Sequence, residues 1–390
     1  SLGTLTTLTV DNVIINGTTI GHTSDTDLMT LADGVLTVAG EVDATSLDIS
    51  GDVDVDGTLE TDNLTVGGAQ GSDGQVLTST GSGVGWEDAS GGGISGLTGL
   101  VENNSIWLGD DPSGTTDTAA YNASLGTAAL SAITTGDYNS TIGYAAGASI
   151  TTGASNTAVG AYALDAVTTA NNDVAVGRGA LTANTSGAQN TAVGTYALGS
   201  NTTAASNTAV GYETLTANTT GTKHVAIGYR ALAANTTEAN NTAVGYDAMV
   251  ANTTGAECTA IGSYALDANT TGNHNVALGY LALTTNTTAS SNVAVGREAL
   301  EANSTGAGNT SIGDRTLETN STGNYNTALG IESLKANTTA ANNTSVGAYA
   351  MQVNTTGANN VAMGYAALDA NTTASYNTAL GISALTANTT

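Results

Sequence analysis

The chain has 390 residues with 50 Gly, one Pro, no Phe and two Trp, and carries a formal net charge of −27 from 33 acidic and 6 basic side chains. A compact domain of this length fills its interior with aromatics, because each buries a large area; here the interior must be thin and built from small aliphatics. The acidity excludes a general nucleic-acid binder, which needs clustered Lys and Arg to neutralise phosphate, and argues against docking on anionic lipid.

Residues 1–70 read as a β-rich shaft. Apolar and polar residues alternate through 8–16, 35–38 and 47–56, with Gly punctuating the runs, which is the pattern of short strands and turns. Residues 71–100 form a connector with a Gly/Ser-rich patch at 89–96. Residues 1–100 hold 15 acidic side chains and no Lys or Arg.

From 101 to 390 the chain is periodic. A glycine recurs at every seventeenth position from Gly109 to Gly381, through Gly160, Gly177, Gly194, Gly211, Gly228, Gly245, Gly262 and Gly279, with no insertion. The residue before it is Val, Ile, Leu or Met in all 17 copies, so this column is expected inside. Two before it stands Ala in 12 copies, a column with room only for small side chains or facing a close neighbour. Three before is mostly Thr or Val, a strand preference. Leu or Met follows the glycine by four positions in 15 copies, a second buried column. Asn lies seven after it in 13 consecutive copies, Asn218, Asn235 and Asn252 among them, and Asn-Thr-Thr is turn chemistry.

Each copy thus predicts a strand, a glycine bend, a second short element (strand or single helical turn) and an Asn-Thr-Thr turn. One copy cannot bury its apolar columns alone, but stacked copies can. The expected fold is all-β: an elongated parallel β-solenoid of 17-residue coils, about 80 Å long at roughly 4.8 Å per coil.

The 14 tyrosines obey the same register, with Arg and Lys substituting in their columns. Long amphipathic side chains of this kind cover flanks, and Tyr and Arg are favoured contact residues. Tyr212, Tyr229, Arg230, Tyr246, Tyr280 and Arg297 are the candidate surface-binding residues, for a glycan or a protein.

The strings at 47–59 and 71–88 resemble tail fibres of bacteriophages, marine ones in particular. The core Asn-Thr-Ala-Val-Gly, and its variant at 275–279, is similar to the head repeat of trimeric autotransporter adhesins of the YadA type. The resemblance implies a homotrimeric fibre, other virion tail proteins as further partners, and attachment to host surfaces; a trimer also suits a thin-cored chain that needs partner copies to bury its Ala column. The adhesin repeat is shorter than this one, which leaves the cross-section and hand of the coil open.

Candidate chemistry is sparse. Asp52, Asp54 and Asp56 begin a calcium-loop pattern, but Asn63 stands where the completing Glu belongs. His224 and Cys258 fall in an Asn column four before the glycine, and neither has an activating partner in sequence. The lone Cys258 excludes an intrachain disulfide. No apolar run is long enough to span a membrane, and no signal-peptide or phosphate-loop pattern is present. Asn-x-Thr triplets such as the one at Asn218 read as turns rather than glycan acceptors. The start at Ser1 and the end within a repeat fit a processed or partial chain.

The expected function is non-enzymatic and cofactor-free: the shaft or adhesive stalk of a phage tail fibre, located in the virion. The alternatives are a bacterial surface adhesin or extracellular filament subunit, then an ice-binding solenoid, then a polysaccharide-degrading tailspike. Thr-Thr in a turn rather than on a strand face counts against ice.

Overall fold

The computed structural model describes residues 7–10, 13–16, 19–22, 25–32, 35–38, 65–66, 69–70, 75–79, 84–88, 99–109 and 118–389. The chain divides into two compact units, Ser1–Glu87 and Asp88–Thr390.

In the first unit, strands β1 (Thr7–Val10), β2 (Val13–Asn16), β3 (Thr19–His22), β4 (Asp25–Ala32) and β5 (Val35–Val38) form an antiparallel meander in chain order. Two short strand pairs follow: β6 (Thr65–Val66) antiparallel to β7 (Ala69–Gln70), and β8 (Gln75–Ser79) beside β9 (Val84–Asp88). The alternating pattern of the sequence gives short strands wherever this unit is described; the calcium-loop candidates Asp52, Asp54 and Asp56 lie outside the described residues.

The second unit begins with a hairpin, β10 (Gly99–Glu102) and β11 (Ser105–Gly109). Its two-residue turn places Asn103 and Asn104 at φ 48° and 59°, the left-handed pair that a tight hairpin requires. β10 thereby occupies one edge of the sheet that follows. From β11 onward every strand is parallel to the last: β12 (Ala123–Gly126), β13 (Ser140–Ile142), and then one three-residue strand per copy to β27 (Thr378–Leu380). Each residue pairs with its equivalent one repeat further on, as in Ala192↔Ala209 and Ala209↔Ala226. No helix occurs among the described residues, and the unit is a parallel β-solenoid.

The strands read half-buried, buried, half-buried, or are more exposed at their flanks. The buried centre is the Ala column, fully inaccessible from Ala158 to Ala362 wherever Ala occurs. It packs on a second Ala-rich column three after the glycine and on the Leu column four after, in one continuous core running from Trp107 to Ala379. Two expectations fail here. The aliphatic column before the glycine points outward, with Ile227 at 39% and Ile261 at 43% exposure. The Ala column is covered by its own chain, without a partner copy. The first follows from the period of two in a strand: once Ala faces the interior, its neighbours on either side must face out. The second follows from the closed coil, whose own Ala and Leu columns lie over the sheet. The narrow gap between sheet and facing segment admits a methyl, and the Leu column fills the remaining width.

That facing segment is neither strand nor helical turn. It is a chain of turns with left-handed residues two and four after the glycine, as at Tyr162 (φ 60°) and Leu164 (φ 54°). The Tyr162 N–H donates to Tyr144 O in the preceding coil, and the Leu164 N–H donates to Ala180 O in the following one. A left-handed Leu costs about 1–2 kcal/mol. Full burial of the same side chain contributes about 1.5–3 kcal/mol, so the conformation is held by what it packs. Where Gly147 replaces Leu, the side chain of Ile150 lies over the gap.

The repeating glycine has φ between +126° and +142°, and nothing but glycine fits there: a Cβ on Gly211 would collide with the carbonyl oxygen of Gly228 in the next coil. Ser291, by contrast, is an exposed left-handed residue five before its glycine (φ 63°). Gly211→Ala is expected to destabilise by on the order of 3 kcal/mol or more, through strain and overpacking together. Ser291→Gly is expected to stabilise by up to about 1 kcal/mol. Thermal melts of the two variants beside the parent check the pair; an unshifted Gly211→Ala would contradict the axial contact.

Candidate surface-binding flank and the polar interior

The residues just after the repeating glycine leave the sheet and run along one flank, so their side chains stack coil on coil. Tyr212, Tyr229 and Tyr246 form a parallel stack, with centroids 5.4 and 5.0 Å apart and planes within 9°. Tyr264 closes it edge-on to Tyr246 at 5.3 Å. The Arg230 guanidinium lies 5.8 Å from the Tyr229 ring centre and 3.6 Å from Asp247. Asp247 also holds the Arg230 guanidinium above its ordinary pKa. A hydrogen bond to Glu213, and the charge of that carboxylate, push the Tyr212 phenol up.

The structure thus brings four of the six surface candidates together. Tyr280 is half-exposed further along the flank. Arg297 belongs to a different arrangement: it grips Asp314 through Nε at 2.9 Å and Nη2 at 3.2 Å, and Glu298 through Nη1 at 2.7 Å. Arg315 continues the network between Asp314 and Glu332, and Lys335 joins Glu332 to Glu318. Three half-buried carboxylates, Glu298, Glu301 and Glu318, converge beside it. Burial, followed by the charges of Glu298 and Glu318, raises the Glu301 carboxyl. The Lys335 ammonium, 3.2 Å from Glu318, supplies a counter-charge at the edge of this group.

Because the rings of Tyr212, Tyr229 and Tyr246 lie on one another, the middle ring has no free face. What the flank presents outward is ring edges and hydroxyls, so it suits polar or edge-on contact rather than stacking of a ring-shaped ligand. A repeating Tyr column was visible in the sequence; that its members consume one another's faces follows only from the stacking of coil on coil.

The interior is as ordered as the surface. Asn four before the glycine accepts the backbone N–H of its counterpart in the next coil and donates onward, as Asn207 does to Gly221 O at 3.0 Å. Asn seven after the glycine forms a second ladder: Asn235 Nδ2 donates to Asn218 Oδ1 at 3.1 Å, and Asn252 Nδ2 to Asn235 Oδ1 at 3.1 Å. These Asn are not left-handed, contrary to expectation, but each does close its own turn, as Asn218 does on Gly221 O at 3.0 Å. The Asn of this column from Asn184 to Asn371 are fully buried, so their Asn-x-Thr and Asn-x-Ser triplets are inaccessible to a glycosyl-transferring enzyme in the folded chain.

Three substitutions interrupt the first ladder. Cys258 is buried, donates to Gly272 O at 3.3 Å, and has its thiol pushed up by burial. The His224 ring receives the Asn241 N–H at 3.2 Å. Asp173 accepts from the Asn190 N–H at 2.7 Å and from Asn184 Nδ2 at 3.0 Å. His274, by contrast, is on the surface beside Glu257 at 3.2 Å. The two histidines occupy different columns and do not form a pair.

The chain matches no family model, no curated protein and no solved structure.

Burial raises the Asp173 carboxyl to about 7 against the pull of its donors, and lowers the His224 imidazole to about 4. The two therefore act on stability with opposite sign. Between about pH 4 and 7 the unfolded chain has lost the Asp173 proton that the folded chain keeps, so stability falls as pH rises. Between 6.5 and about 4 the unfolded chain gains a His224 proton that the folded chain refuses, so stability falls as pH drops. Relative to the parent, Asp173→Asn is expected to become more stabilising from pH 4 to pH 7, and His224→Asn from pH 6.5 to pH 4. Each reaches on the order of 3 kcal/mol. Denaturant midpoints at pH 4, 5.5 and 8 read the divergence; variant-minus-parent differences that stay flat with pH would contradict it.

Proposed function

We propose that the protein is a structural fibre protein of a phage tail, serving as the shaft or adhesive stalk in host attachment, and that it works as a homotrimer in the virion. One observation carries the self-association. The outward face of the sheet holds the columns one and three before the glycine, and in 17 copies neither column contains a charged residue, although the chain carries −27. The most exposed aliphatic side chains there reach 37–74%, from Leu108 to Leu380.

At about 4.8 Å per strand this strip is about 80 Å long and roughly 10 Å wide. Its area is on the order of 800 Å² per copy, which is what each partner buries in a stable interface. The column one before the glycine is aliphatic in every copy, while three before it Thr or Ser stands in 10 of 17, so the strip is an aliphatic line beside a largely Thr one. The acidic flank repels its own copies, which favours approach along an uncharged face, and this one alone carries a continuous aliphatic column. Three copies sharing one axis each bury the same strip, and the Tyr and Arg flanks stay outside. There the Tyr212–Tyr246 edge is the contact offered to a host glycan or protein.

Light scattering on the full chain tests the reading. The parent is expected at three times the chain mass. Ile227→Lys with Ile261→Lys, two exposed positions that leave the core intact, is expected to shift it to the monomer. A monomeric parent at micromolar concentration would remove the trimer.

A further inference from the structure

The coil has a second outward edge that self-association leaves uncovered. The residues eight and nine after the glycine are Thr or Ser in every copy from Gly126 to Gly364. The structure explains the first of these columns. Its hydroxyl donates to the backbone carbonyl of the next coil's counterpart, as from Thr202 to Thr219 O and from Thr219 to Thr236 O, both at 3.1 Å. It leaves the second unexplained. That column is Thr in 14 of 15 copies, with Ser186 the exception; all 15 are exposed, and among the described residues none of their hydroxyls makes a hydrogen bond, in contrast to the first column.

Exposed columns without an outside role drift among the copies. Five before the glycine stand Tyr, Ser, Asn, Gln, Lys, Glu, His and Gly. A stacked extended backbone accepts Val or Ile as readily as Thr, so packing preserves a branched side chain but not a hydroxyl. The residue two further on also faces outward and is small or short throughout, Ala in eight copies, so nothing long overhangs the Thr column. Backbone hydrogen bonds from both Thr positions to one carbonyl of the next coil fix the spacing, as Thr219 and Thr220 make to Thr236 O.

We infer that this edge binds ice. It presents a methyl and a hydroxyl once per coil, about 4.8 Å apart, along about 70 Å. A partner that engages successive coils must itself repeat at close to that spacing, as the lattice of crystalline water does. The methyls order the adjoining water and the hydroxyls fix its position by hydrogen bonding. A β-branched side chain on a hydrogen-bonded ladder has little rotamer freedom to lose on contact. The expectation that Thr-Thr in a turn is unsuited to ice is answered by the geometry: in this fold the turn is as regular along the axis as the strand.

Purified full chain is measured for thermal hysteresis and for inhibition of ice recrystallisation, beside the triple variant Thr220→Tyr, Thr237→Tyr, Thr254→Tyr. The variant changes exposed side chains only, and its circular dichroism is compared with the parent to verify the fold. The parent is expected to show hysteresis and to keep crystals small, with the variant near the buffer baseline. Tyr365→Ala, an exposed ring one after its glycine and away from the Thr column, is expected to match the parent. No effect by the parent, or an effect that survives in the folded triple variant, overturns the inference. So does pull-down on microcrystalline polysaccharide with no effect on ice.

Discussion

Every coil of this solenoid rests on the next through a glycine whose missing side chain lets one backbone approach the carbonyl of its successor, the equivalent glycine one repeat on. All other contacts inherit that spacing. Strand pairing, the Asn ladders, the Thr hydroxyl ladder and the Tyr stack each join a residue to its equivalent one coil away. A fold built this way has few alternative registers. A slip by one residue would turn the Ala column outward and place a side chain where only glycine fits.

The interior is half polar, and that is part of the same constraint. A thin coil cannot surround a wide apolar core, so buried Asn side chains fill the turn corners, and their amides meet backbone carbonyls and one another. Buried polar groups are tolerable when each is satisfied, and a satisfied network favours one arrangement over its neighbours. Asp173, His224 and Cys258 mark the places where the ladder carries a group that titrates, and burial moves each away from its charged form.

The surface divides by column rather than by region. The uncharged sheet face suits contact between copies, the Tyr and Arg flank carries aromatic edges and ion pairs, and the Thr edge repeats one short side chain without interruption. Each is continuous because a single position, copied once per coil, becomes a line along the axis. The proposed roles in assembly, in host contact and toward ice draw on separate lines, so a change in one column leaves the others in place.

The sequence by itself determined the period, the all-β class, the small and Leu columns of the core, and the flank occupied by Tyr and Arg, because each recurs at one offset from an unbroken glycine. It could not say which side of a three-residue strand is the inside. Val, Ile and Leu before the glycine look like core, yet they face out; the Ala between them faces in because the space behind it is shared with the Ala and Leu columns of the facing segment, and that space is a property of the closed coil. The left-handed Leu was hidden for a similar reason: propensity disfavours it, and only burial against the Ala columns offsets the penalty. That Tyr rings cover one another, that the Asn-Thr-Thr amides lie inside, and that a turn can be as regular as a strand were decided by tertiary stacking. Each depends on what lies one coil away, a full repeat distant in the chain and about 5 Å distant in space.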